Sequence, residues 1–304
     1  ADGYEIYKYN GESFDDTIAN GESSYYDKAV LVKTITKASV ALEDFDGFEY
    51  VEPVRKIKTG AFNDLDRGLW GLNNTSTMGA DINVLRAWEQ YSVGNPNVIV
   101  SVVDTGIDLN HEDLAANCLT MHHVNTNNPA NAIEPQSHGT HVAGVIAATN
   151  NNGIGISSIA GGTPENPGVK IMSCQIFSGS LAGTVLDEVR AIKYAADNGA
   201  VILQCSWGYT SGAANPYDWG AQFATDEEWE LYNPLEKKAL DYFVTYAGSA
   251  DGVIEGGIAV FAGGNESAAA AGYPGAYGKF VSVAGIAGDF TPAIYSNYGP
   301  GINI

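Results

Sequence analysis

Three side chains in this sequence are of the types that acyl chemistry needs, and each stands where a regular pattern breaks into a turn. Asp104 closes the run NVIVSVVD, His138 lies in SHGTHVAG (137–144) ahead of Val145-Ile146-Ala147-Ala148, and Asn265 follows GIAVFAGG. A carboxylate can orient an imidazole and stabilise its cation. The imidazole can take a proton from a hydroxyl, and a carboxamide N–H can bind the oxyanion that forms at an attacked carbonyl. Taken singly, each has a plainer reading: a turn aspartate, a structurally satisfied histidine, a turn-forming asparagine. Their joint placement is what favours chemistry.

A common rim requires elements that end together. NVIVSVV (97–103) is a continuous β-branched run, as in a strand covered on both faces. VKIMSCQIF (169–177), AVILQCS (200–206), GIAVFAG (257–263) and KFVSVAG (279–285) repeat that character. Helical patterns lie between them. Thr184 with Asp187 predicts a capped start, Val185, Leu186, Val189, Ile192, Ala195 and Ala196 an apolar face, and Asn198-Gly199 a stop. Asn233-Pro234-Leu235-Glu236 reads as a second start, with a cap, a first-turn proline and a returning glutamate. From Leu235, a stripe continues through Ala239, Leu240, Phe243, Val244 and Ala247. Strands alternating with helices predict an α/β fold: a mainly parallel central sheet with helices on both faces and right-handed crossovers. Ligands bind beyond the carboxyl ends of such strands, which puts Asp104, Ser206 and Asn265 on one rim. His138 joins them by opening a helix whose small residues let it pass close to the sheet. Residues 1–60 read instead as short strands, Tyr4–Tyr9, Lys28–Thr34 and Phe48–Val51, forming a small α+β or β-rich domain ahead of 61–304.

Composition narrows the partners. Among 304 residues, 36 Asp and Glu face 15 Lys and Arg, a formal net charge of −21. Such a polyanion repels nucleic acid and anionic membranes. No apolar run approaches the roughly 18–20 residues of a spanning helix. The chain opens ADGYEIYKYN, without an apolar leader, so any export signal is expected to have been removed. Cys118, Cys174 and Cys205 form no C-x-x-C pair and are expected to be buried thiols. His122-His123 invites a metal reading, but no third ligand follows at the spacing of a zinc site.

VVDTGID with HEDL, SHGTHVAG, CSWG, FAGGNES, GYPGAY and YSNYGP resemble, in order and spacing, the successive signatures of the subtilisin-like serine proteases, over roughly residues 64–304. The resemblance implies that Asp104 is the triad acid, His138 the general base and Asn265 the side-chain oxyanion donor. It makes His141 a packed second histidine. It assigns Ser206, Trp207 and Gly208 to the edge that pairs with an extended substrate, Ala262, Gly263 and Gly264 to a wall of the specificity pocket, and Gly272 to its floor. A glycine floor implies a deep pocket for large apolar or aromatic side chains, with Glu266 at the rim tolerating a basic one. Pro274 falls in a Tyr-Pro-Gly turn where the family implies a cis bond.

The resemblance further implies a polypeptide substrate, a secreted or cell-surface setting, and no cofactor for the chemistry. Structural Ca2+ is an option, with Asp113 as a ligand and Asn151, in the loop 150–155, as a second candidate. FEYVEPVRKI (48–57) resembles the end of the family's inhibitory prosegment, which makes 1–60 a prosegment-like domain. The stretch 209–234 is an acidic insertion, readable as a solvated loop or as a lid. One signature, Gly-Thr-Ser-Met-Ala with the nucleophilic serine, is absent, so 61–304 is expected to be an incomplete catalytic domain. The remaining C-terminal segment would then be a partner as a separate chain. The alternative is a non-catalytic peptide-binding or inhibitory module that keeps the cleft.

Overall fold

The computed structural model describes the backbone of residues 4–8 and 30–34 and, within 62–304, all residues except 67, 125–131, 179–182, 218–221 and 249–253. The chain divides into two compact units, Ala1–Gly60 and Ala61–Ile304. In the first, β1 (Tyr4–Lys8) pairs antiparallel with β2 (Val30–Thr34). The predicted strand at 48–51 and the prosegment-like run 48–57 lie outside the described residues.

In the second unit, helix α1 (Val84–Gln90) precedes a six-stranded sheet. Its strands are β3 (Ile99–Thr105), β4 (His123–Val124), β5 (Lys170–Phe177), β6 (Ile202–Cys205), β9 (Ile258–Ala262) and β10 (Val281–Val283). Their order is β10-β9-β6-β3-β5-β4, and every pairing is parallel. Within this sheet the chain begins near the middle, at β3, forms the edge strand β4, inserts β5 between the two, and then builds outward through β6 and β9 to β10. The inner residues of β3 and β5 are buried whichever face they point to, the polar Ser101, Ser173 and Gln175 included.

Alternate side chains of β3 enter different cores. Val100 and Val102 pack with Ala143 and Ala147 of α2 (Ser137–Ala147). Val103 packs on the opposite face with Ala191, Ile192 and Ala195 of α3 (Val185–Asp197) and with Leu240 and Phe243 of α5 (Pro234–Tyr246). Cys118, Cys174 and Cys205 are free thiols. Burial pushes Cys118 up to about 11 and Cys174 to about 12, so neither forms a reactive thiolate near neutrality.

The start of α3 matches its sequence signal: the Thr184 hydroxyl accepts from the Asp187 amide, and the Asp187 carboxylate accepts from the Thr184 amide at 3.0 Å. The start of α5 does not. Asn233 makes no side-chain cap, because it also terminates the preceding helix α4 (Asp226–Tyr232) and its backbone is not extended. Its side-chain oxygen accepts from the Tyr209 hydroxyl instead.

The apolar stripes also need correction, since Leu186 and Leu235 are exposed. The inward positions one turn before Ala191-Ile192 and Ala239-Leu240 are Glu188 and Glu236, both buried. Helical periodicity decides this: i, i+3, i+4 and i+7 share a face whatever their polarity. Glu236 accepts from the Trp229 indole N–H at 2.9 Å.

The stretch 209–234 is built into the unit. Within it, β7 (Thr210–Ser211) pairs with β8 (Gln222–Phe223), and Thr225 caps α4 by accepting from the Glu228 amide. Trp229 of α4 is fully buried and stacks on Tyr273 at 5.7 Å. Its described part is thus neither a loose loop nor a free lid.

Burial, then mutual repulsion, raises the Glu188 carboxyl well above the usual range, and burial raises Glu236 too, so the pair retains a proton that the unfolded chain gives up. With folded values above unfolded ones, their contribution is present below the ordinary value of 4.5 and is lost as pH rises through neutrality. Glu188→Gln removes the titration and keeps a donor. It is expected to leave the urea midpoint nearly unchanged at pH 5 and to stabilise the protein at pH 8 by on the order of 1–3 kcal/mol. Parallel stability–pH curves for the two proteins would contradict this.

Candidate active site

Asp104, the penultimate residue of β3, is 1% exposed. Its Oδ1 accepts from the Thr105 amide at 2.6 Å and stands 2.7 Å from His138 Nδ1. An ionised carboxylate only accepts, so Nδ1 carries the proton and Nε2 presents its lone pair. The His138 side chain is 59% exposed, so the ring is open to solvent. Asp104 Oδ2 is buried without a hydrogen-bond partner among the described residues. A buried anion so sparsely compensated is suited to stabilising positive charge on the neighbouring ring.

The pair meets because α2 starts against the end of β3. The Gly139 amide donates to Thr105 Oγ1 at 2.8 Å, and the Asp108 amide donates to Thr140 Oγ1 at 3.0 Å. A Cβ on Gly139 would sit 2.3 Å from the Thr105 carbonyl oxygen. Only glycine permits this approach, and His138, one residue earlier in the first turn, is thereby delivered to Asp104. His141 is not packed as expected. It is exposed, because α2 buries the face of Gly139, Ala143, Gly144 and Ala147, and position 141 turns away from that face.

The other rim residues follow β6, beside β3, and β9, one strand further out. Ser206, Trp207 and Gly208 leave β6. The Trp207 indole donates to the Val103 carbonyl at 2.7 Å and meets Phe177 and Phe261 edge-on. That anchor fixes the segment while Gly208 remains exposed. The Tyr209 amide donates to the Tyr273 carbonyl at 2.7 Å, and the Gly272 amide to the Gly263 carbonyl at 2.9 Å. The segments 206–209, 262–264 and 272–275 are therefore stitched together through their backbones, with a cis Tyr273–Pro274 bond. A Cβ on Gly272 would lie 2.3 Å from the Tyr209 carbonyl oxygen, so backbone approach requires this glycine whatever the pocket accommodates. Ala262 ends β9, and Asn265 stands exposed three residues later. Glu266 is not a free rim charge: its Oε2 accepts from Asn297 Nδ2. Asn297 carried no assigned role in the sequence, where only its place in YSNYGP marks it.

The candidate calcium residues are not brought together as a ligand set. Asp113 accepts from Asn152 Nδ2 at 2.8 Å and from the Ile156 amide at 3.0 Å, one donor on each oxygen. Asn151 lies aside, accepting from the Asn63 amide. The side-chain oxygens of Asn150 and Asn152 accept from the Ser158 and Ile154 amides. The loop turns N–H donors toward Asp113 where a cation needs oxygens, so the residues as arranged do not fit calcium. His122 pairs with the Thr120 carbonyl, whereas His123 stacks on Tyr194 at 5.4 Å. Among the described residues no group of three or more His, Cys, Asp or Glu is placed to hold a metal.

Residues 95–304 match the subtilase family, Peptidase S8. The chain belongs to that family. It is 26% identical to a thermophilic serine proteinase of Bacillus sp. (strain AK1), over 84% of this chain and 54% of that protein. It is 30% identical to a calcium-dependent protease of Trichormus variabilis, over 77% of this chain and 33% of that one. It thus spans well under two thirds of the length of these relatives. Among solved structures, a protease from Pseudoalteromonas arctica superposes with a TM-score of 0.58 at 23% identity, covering 80% of this chain and 71% of that chain, a likeness of fold.

A calcium site occupied a hundredfold above its dissociation constant would contribute about 2.7 kcal/mol. Because the loop closes on its own hydrogen bonds, adding millimolar calcium to chelator-treated protein is expected to leave the thermal midpoint within about 1 °C, against the several degrees that such an energy represents. A rise of that larger size would show that the loop rearranges around the ion.

Proposed function

We propose that this cleft hydrolyses internal peptide bonds in polypeptides. Asp104 and His138 act with a serine hydroxyl supplied from outside residues 1–304. His138 Nε2 takes the hydroxyl proton as the oxygen attacks the scissile carbonyl, and Asp104 stabilises the imidazolium. Asn265 Nδ2 donates to the oxyanion of the tetrahedral intermediate, and His138 then protonates the leaving amine. Water reverses these roles to release the acyl group. The observation that carries the reading is the 2.7 Å bond between a buried carboxylate and an exposed imidazole. Membership of the subtilase family supports it.

Residues Ser206–Gly208 are proposed to pair with the extended substrate backbone, and Ala262–Gly264 with Gly272 to border the pocket before the cut. The exposed Gly208 main chain supports the first assignment. Residues 1–60 are proposed as a prosegment-like domain, and the setting as secreted or cell-surface by the habit of the family. A second reading, a peptide-binding or inhibitory module without chemistry, is favoured by one observation: among the described residues, Asp104 is the only hydrogen-bonding partner of the His138 ring.

The two readings separate in the product of the whole gene. A covalent serine-hydrolase probe is expected to label it, and Asn265→Ala to lower kcat by about 10²- to 10³-fold. A whole protein that binds peptides and never labels would support the module instead. Cleavage of a peptide library is expected to favour large apolar or aromatic residues before the cut. A strict preference for small or acidic residues would overturn the pocket assignment.

A further inference from the structure

We infer that Asn297, a residue outside the proposed triad and pocket, is the positioning residue for Asn265. The inference rests on the proposed reading and deepens it. Asn265 is exposed, and no hydrogen bond of its side chain to protein is seen among the described residues, so its direction is set by the backbone that carries it. That backbone leaves the sheet at Ala262, where β9 ends, with one further ladder-like bond from the Gly263 amide to the Val283 carbonyl. From there to residue 268, Asn297 supplies most of the order.

Asn297 is fully buried, and its carboxamide uses all four of its hydrogen-bonding positions on this loop. Nδ2 donates to the Gly263 carbonyl at 3.0 Å and to Glu266 Oε2 at 2.5 Å. Oδ1 accepts from the Glu266 amide at 3.0 Å and the Ala268 amide at 2.9 Å. Its own amide donates to the Gly264 carbonyl at 3.0 Å. The partners bracket Asn265 on both sides and leave it alone free. Backbone geometry points the same way. Gly264 has φ +111°, and a Cβ there would sit 2.2 Å from Asn297 Nδ2. The left-handed turn that throws Asn265 outward is thus wrapped round the Asn297 amide. Flanking contacts hold the splint itself, with the Ser267 amide donating to the Tyr295 carbonyl and the Tyr298 amide to the Ala268 carbonyl.

A donor must lie where the oxyanion forms, and a displacement of about 1 Å can cost about 10²-fold in rate. Asn297→Ala in the whole gene product is therefore expected to lower kcat about 10²-fold with KM changed less than about 3-fold. Added to Asn265→Ala, it should cause almost no further loss, because there is no donor left to aim. A purely structural role would instead make the losses multiply. Asn297→Asp keeps both acceptor contacts and sets two carboxylates face to face, and Glu266→Gln in that background restores a donor across the pair and should recover part of kcat. Amide exchange at Glu266 and Ala268 reads the clamp without any activity, and should quicken in Asn297→Ala while the β9 amides stay protected. Multiplying losses, no rescue, or unchanged exchange at these two amides would each overturn the inference. A whole protein that lacks peptidase activity yet loses that protection would refute the proposed reaction and leave the clamp standing.

Discussion

The close contact between the first turn of α2 and the last residue of β3 is the constraint on which the cleft depends. Gly139 lies so near the Thr105 carbonyl that any side chain would force the helix away. A displaced helix would carry His138 out of reach of a carboxylate that is buried and cannot follow it. The sheet behind fixes the other partner, because β3 is flanked by β5 and β6 and its inner residues are fully covered. One rigid strand end and one rigid helix start thus define a 2.7 Å contact without a flexible loop between them.

The same economy of side chains runs along the rim. Tyr209, Tyr273, Gly272 and Gly263 are joined through main-chain bonds, and glycine recurs where one backbone lies over another. Where main-chain pairing stops, at the turn after β9, a single buried asparagine takes over and saturates itself on the loop. A buried carboxamide whose four positions are all used is strongly directional, since any shift leaves a desolvated polar group unpaired. Rigid framing is what an oxyanion donor needs if it is to be in place before charge develops.

The interior also holds a buried pair of carboxyls. Glu188 and Glu236 occupy inward positions on two packed helices beneath the segment that follows β6. They survive by sharing a proton and by the Trp229 indole N–H, which ties α4 to the core through the same carboxyl group. The acidic insertion is therefore anchored from below by the buried Glu236 carboxyl, while Asp226 and Glu230 accept from the Tyr273 and Tyr277 hydroxyls above.

By itself the sequence determined the parallel sheet and the capped start of α3, and it marked Asp104, His138 and Asn265 as candidates. These are local signals: continuous β-branched runs, a Thr–Asp capping pair and short motifs depend on neighbours a few positions away. Tertiary structure alone decided what distant segments do to one another. It placed Glu188 and Glu236 inside, because periodicity names a face without saying which face meets the core. It diverted Asn233 from capping to Tyr209, turned His141 to solvent, and closed the Asp113 loop on amide donors. It also gave Asn297 its place round Gly264, since a hydrogen bond across 31 residues leaves no periodic trace in the chain.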